Sequence, residues 1–274
     1  MPLPFVEYRD VEISEPLRQG DVLEAVDPEV SKWRRTLFVL TADCDLAHEK
    51  NRGRLTCVPL LEQSEYLLEL VVPRLQERVR KKAVQELQDL MRSHGVEHVS
   101  NDRLVEWIAE ESAASIATAI GVPAEGLSRA TRLIEAVSLA GGEHSTVREA
   151  IEALMNAQMR AKVPPKVHNA RRNLIDVLRD AYKNPPGDTL FLSAIARGRH
   201  DGYFAYLRQV EQVMQPSVST APTRAGVDYR RIARLEDRFT HALVQRFAMV
   251  YLSIGLPPEY EEVRDIHAEL VGEE

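Results

Sequence analysis

The sequence predicts an α+β fold: a small β-barrel split by a long helical insertion and closed by a C-terminal helix. Short runs rich in β-branched and aromatic residues occupy the first sixty residues and return after Gly187. Between them, apolar residues recur three and four apart with Arg, Lys, Glu and Gln in the gaps, which is the pattern of amphipathic helices. Neither group of two or three strands would be stable alone, so the two groups are expected to meet in one barrel. The expected boundaries are 1–63 for the first part of the barrel, 64–183 for the insertion and 184–274 for the second part with its helix.

In order along the chain, LRQGDVLEAV places a turn at Gly20-Asp21 before a short strand. WRRTLFVLTADCD and RLTCVPLLEQ are two further strands, at about 35–42 and 54–61, and the tight connection through Asn51 and Gly53 predicts that they pair antiparallel. SEYLLELVVPRLQERVRKKAVQELQDLMRSHG reads as helix, interrupted early by Pro73. SNDRLVEWIAEESAASIATAIG follows as one helix with Ser100 as N-cap and Gly121 as its end. Two more helices flank Gly141-Gly142, and NARRNLIDVLRDAYKN is the last before NPPGD. DTLFLSAI and GYFAYLRQVEQV are strands joined through Gly198, Asp201 and Gly202. DYRRIARLEDRFTHALVQRFAMVYLSIG is expected to be a single helix, with Ile232, Leu235, Phe239, Leu243, Phe247 and Val250 or Tyr251 on one stripe.

Composition narrows the function classes. Hydrophobic residues at 44% and charged residues at 28% of 274 suit a globular protein. A net charge of -7 argues against broad nucleic-acid binding, so RNA or DNA is not the expected partner. Two cysteines give neither a disulfide framework nor a zinc spacing, which reads as cytosolic. The N-terminus lacks the apolar core of a signal peptide and no stretch nears the ~20 apolar residues of a membrane span. A cytoplasmic protein without a membrane partner is expected. GxxxxGK[ST], GxGxxG and GxSxG do not occur.

Chemistry-bearing residues concentrate in FVLTADCDLAHE, residues 38 to 49, where Asp43, Cys44, Asp45, His48 and Glu49 end an apolar strand. As a ligand set they suit zinc or manganese, but without a recognised spacing, so no metal or cofactor is expected. Cys44 between two aspartates is a poor thiolate, and it is expected to pack inside the barrel while Asp45 caps the turn. A Cys44/Asp45 enzyme is the contrary possibility. The Arg pairs of ARRNLIDVLR and DYRRIARLEDR are expected on solvated helix faces, and ARGRHDG at a hairpin tip is the better basic contact.

GDV, then RTLFVLTADCDLA, then LTCVPLL resembles the SH3-like barrel of the MazF/PemK toxin group, and the IGLP finish resembles bacterial proteins that also carry a GDV and CDL pair. The resemblance covers roughly 16–63 and 187–258. It implies RNA cleavage by an Arg from the loop after the first strands and a Thr at a strand end. Arg34 and Arg35 stand near the Arg position, while Leu60 and Leu61 stand where the hydroxyl is expected. The barrel is therefore expected to have lost catalysis. The alternative is an endoribonuclease using Arg34 or Arg35 with a displaced hydroxyl, Thr41 or Thr56. Inactive toxin-like barrels resemble, in outline, the inhibitors of type III CRISPR signalling systems, which sequester a sigma factor until a protease cuts them. A sigma factor or a protease is thus the expected partner, with cleavable linkers near 161–168, 184–188 and 216–226.

Overall fold

The computed structural model describes residues 6–95, 99–161, 167–221, 225–252, 260, 262 and 263. The chain is α+β and divides into two units, one made of residues 1–61 and 186–274, the other of 62–185.

The first unit is a curled half-barrel sheet to which both ends of the chain contribute. Its strands are β1 (Tyr8–Arg9), β2 (Asp21–Ala25), β3 (Thr36–Val39), β4 (Arg54–Glu62), β5 (Thr189–Leu192), β6 (Tyr203–Tyr206), β7 (Glu211–Met214), β8 (Val218–Ser219) and β9 (Tyr229–Leu235). They run in the order β1-β9-β2-β3-β4-β6-β5, with β7 also on β4 and β8 on β9. β1 with β9, β2 with β3 and β9, β3 with β4, β4 with β7 and β5 with β6 pair antiparallel, and β8 with β9 parallel. Short helices α1 (Lys32–Arg35) and α2 (Asp43–Ala47) flank β3, and α10 (Asp237–Leu252) follows β9.

Alternation along the strands builds two cores. Val22, Phe38, Val58 and Leu60 join Leu192, Tyr203 and Leu235 on the face covered by Phe239, Leu243, Val244 and Phe247 of α10. Leu23, Leu37, Val39, Leu55 and Cys57 join Val213, Val218 and Tyr229 on the other face. A strand buried on both sides needs apolar residues at successive positions, which is why Leu37–Val39 of β3 and Cys57–Leu61 of β4 read as continuous apolar runs.

Between Val22 and Leu23 the β2–β9 register slips: Val22 lies opposite Ala233 and Leu23 opposite Arg231. The extra residue, Ile232, is a bulge that rephases the strand, bringing Arg231 and Arg234 to the same side. Both are buried there. This corrects the expectation of one helix from 228 onward: Tyr229–Leu235 is a strand, its arginines are not on a solvated helix face, and the helix begins only at Asp237. Spacing from Ile232 to Phe247 fits a helix, but β2 would then keep only β3 and expose its other edge, and Asp21 would lose its cations.

The second unit is helical: α3 (Gln63–Tyr66), a π-helical turn (Leu67–Val71), α4 (Val72–Ser93), α5 (Asn101–Glu110), α6 (Ala113–Ala119), α7 (Ala124–Ala140), α8 (Val147–Ala161) and α9 (Val167–Lys183). Pro73 is the second residue of α4 and directly follows the π turn, so the expected interruption takes the form of that turn, whose wider ring accommodates the missing N–H. The expected helix from Ser100 to Gly121 is two. Ser100 accepts from the Arg103 N–H, but Ser112 caps a second start by accepting from the Ser115 N–H. Ala130, Ala136 and Ala140 leave α7 thin enough to pack closely in the middle of this unit.

Of the expected cleavable linkers, residues 162–166 and 222–224 lie outside the described residues, as does the IGLP finish at 254–257. Near 184–188 the chain is held, Asp188 being buried and paired with Arg208. No helix among the described residues is long and apolar enough to cross a membrane.

Candidate functional site

The site is a cleft of about 500 Å3 on the α10 face of the sheet. Gln19, Thr41, Asp45, Asn51, Arg54, Thr56 and Gln212 supply its polar lining, and Val244, Phe247 and Ala248 its apolar wall.

Its frame starts at GDV. Gly20 has φ +93°, and a Cβ there would stand 2.5 Å from Thr240 Oγ1 of α10, so only glycine fits. Its N–H donates to Val39 O at 3.0 Å and its carbonyl accepts from the Leu235 N–H at 2.9 Å, which places the turn between β3 and β9. Asp21 is fully buried and accepts from Arg234 Nε at 2.6 Å and from the Arg18 N–H at 2.8 Å. Burial pushes the Asp21 carboxyl upward, against Arg234, the Arg18 N–H and Arg231. Arg231 donates to the carbonyls of Glu12, Glu15 and Pro16, and Arg234 to Pro16 O and to Glu15. Residues 12–18 are thus strapped to β9 by two buried guanidinium groups. The hydrogen bond from Arg9 holds Glu15 at about 2, burial opposing it.

DCDL is the other half of the frame. Residues 43–47 form a helical turn rather than the end of a strand. Asp43 accepts from the Gln19 N–H at 2.8 Å and from Arg18 at 2.7 Å, so the two motifs are tied to one another beside the cleft. Burial favours the neutral acid, but Arg18 and the Gln19 N–H outweigh it and hold the Asp43 carboxyl below its ordinary range. Asp43, Cys44, Asp45 and His48, the possible ligand or structural cluster, do not converge. Cys44 is exposed rather than packed inside, Asp45 lines the cleft instead of capping the turn, and His48 and Glu49 are exposed beyond α2. Among the described residues no three His, Cys, Asp or Glu side chains are placed to hold a metal ion. Cys57 is the buried cysteine, its thiol pushed up to about 12 by burial and the charge of Glu211.

Inside the cleft, Thr41 Oγ1 accepts from the Thr56 N–H at 2.7 Å, so a side chain replaces the backbone partner where β3 ends. The Thr41 hydroxyl proton stays available to a ligand. Gln19 Nε2 donates to Leu40 O at 2.6 Å, and Asn51 Nδ2 to Arg54 O at 3.1 Å and Gln215 Oε1 at 2.7 Å. Arg54 Nη1 reaches Gln212 Oε1 at 3.5 Å. These bonds fix the amides before any ligand arrives.

Of the residues named for the alternative of RNA cleavage, Thr41 and Thr56 come together in the cleft but Arg34 and Arg35 do not join them. Arg34 Nε lies 3.6 Å from Glu211, on the sheet face that holds Cys57 and Val213, while Thr56 and Gln212 alternate to the cleft face. Arg35 precedes β3 and Thr41 follows it, roughly 20 Å apart along extended chain. Leu60 and Leu61 are buried. The hairpin-tip arginines are neutralised, Arg197 by Asp10 and Arg199 by Glu24. Gln19, Asn51, Arg54 and Gln212 gave no motif in the sequence; the one usable signal was the turn chemistry at Gly20 and Gly53, which flanks three of them. No family model matches the chain, and no curated protein or solved structure matches it either.

Proposed function

We propose that the chain is a non-catalytic, protein-binding regulator built on a toxin-like barrel, holding a partner such as a sigma factor in a bacterial stress or antiviral defence pathway of the cytoplasm. One observation carries the proposal: Arg34, neutralised by Glu211, is separated by the sheet from the hydroxyls of Thr41 and Thr56. Phosphodiester cleavage by such a barrel needs a guanidinium on the charge that develops and a hydroxyl beside it. What the cleft does offer is prepositioned amides and hydroxyls over an apolar wall. These suit an extended polypeptide, whose backbone presents N–H and C=O groups in turn. The test is size-exclusion chromatography of the full chain with a sigma factor encoded beside it. A stable complex weakened by Asn51→Ala/Gln212→Ala is expected; no complex with any neighbouring gene product would overturn the proposal.

A second reading has its own observation. Arg54 shares the cleft with Thr41 and Thr56, so a guanidinium and two hydroxyls do line one wall. Incubation with long single-stranded RNA decides between the two: specific fragments lost on Arg54→Ala but kept on Arg35→Ala would make the protein an endoribonuclease.

A further inference from the structure

The helical unit has a groove between α4, α8 and α9, with a volume of about 220 Å3. Leu75, Ala83 and Leu174 form its buried floor, with Val79 and Val177 half-buried beside them. That volume lies below the ~300–1,000 Å3 of small-molecule sites and suits a few aliphatic side chains. Its rim is charged with one sign for most of its length. From Arg74 to Lys82, α4 carries five cations against one carboxylate, in a chain whose net charge is -7. Arg80 is paired with Glu77, but Arg74, Arg78 and Lys82 are exposed and have no hydrogen-bond or ion-pair partner among the described residues. Spaced by four, they stand in a row along one face of α4, and Arg78 and Lys82 reach the groove itself. Among the described lining residues only Glu86, at the far end, has the opposite charge.

We propose that this groove docks an acidic amphipathic helix of a partner protein, with aliphatic residues at i, i+3 or i+4 and i+7 entering between α4 and α9 and carboxylates meeting Arg74, Arg78 and Lys82. Among the described residues the lining has no aromatic ring on which a base would stack, which favours a helix over single-stranded nucleic acid. The inference names the chemistry of one partner segment, and so rests on the chain being a protein-holding module.

Fluorescence anisotropy with the full chain tests it, using a labelled amphipathic Glu/Leu peptide, a Lys/Leu peptide of the same apolar pattern, and a labelled single-stranded RNA. The Glu/Leu peptide binds, the Lys/Leu peptide does not, and binding weakens about tenfold in Arg78→Glu/Lys82→Glu and also falls with added salt. Val79→Asp weakens binding with the cations intact. Equal binding of the two peptides, no effect of the charge reversal, or RNA binding in place of peptide binding would each overturn the groove assignment. A partner protein that the charge-reversed chain retains sinks the groove but leaves the holding function standing, whereas a chain that binds no partner at all sinks both.

Discussion

Replacing Arg234 by Met tests the strap at its centre. Arg234 is 1% exposed, and its three nitrogens reach Asp21 at 2.6 Å, Glu15 at 2.9 Å and Pro16 O at 2.9 Å. Met keeps an apolar stem of similar length, so the loss reports the guanidinium rather than the packing. Asp21, wholly buried, would keep the Arg18 N–H and Arg231 Nη1 at 3.6 Å. Breaking a buried pair from one side costs about 3–5 kcal/mol, a large part of the ~5–15 kcal/mol that holds a domain folded. Asp21→Asn in the same chain removes the stranded charge, so the double variant should be more stable than the sum of the singles by about 1–3 kcal/mol. Urea titration measures this, and because the two units need not unfold together, Trp107→Phe leaves Trp33 as the reporter of the barrel unit alone. A single-variant loss below about 1 kcal/mol, or strictly additive effects, would refute the assignment of the strap to this buried pair.

Three other outcomes are expected. Gly20→Ala should destabilise the barrel unit by about 2–4 kcal/mol, from the positive φ and the contact with Thr240, and Thr240→Ala should restore only the steric part in the same titration. A thiol reagent should label Cys44 in the native protein and Cys57 only in urea, since one is exposed and the other buried with its thiol raised to about 12. The barrel unit should lose stability on acidification. Glu15 falls from its ordinary 4.5 to about 2 on folding, so its contribution is complete above 4.5 and disappears as pH falls towards 2. Asp43 acts in the same sense and Asp21, raised by burial, in the opposite one. Glu15→Gln should therefore flatten the Glu15 part of the slope when stability is followed against pH.

The sequence by itself determined the elements whose signal is local. Leu37 to Val39 and Cys57 to Leu61 are apolar without interruption because the sheet buries both faces, and the stripes of α4 and α7 recur at the helix period because one side of each is buried. The tertiary structure decided everything that depends on distant partners. DYRRIARL carries a helix spacing and becomes a strand, because the edge of β2 away from β3 needs a neighbour and Asp21 needs two cations, neither of which is visible within a turn of residue 230. DCD announced chemistry, yet Asp43 is a tie to Arg18 and Gln19, and the cleft is lined instead by Gln19, Arg54 and Gln212. Periodicity records only what each residue does relative to its near neighbours along the chain. Buried ion pairs and a cleft are assembled by pairing strands from the two ends of the chain, Asp21 with Arg234 across 213 residues, and their energy exists only once that pairing has excluded water.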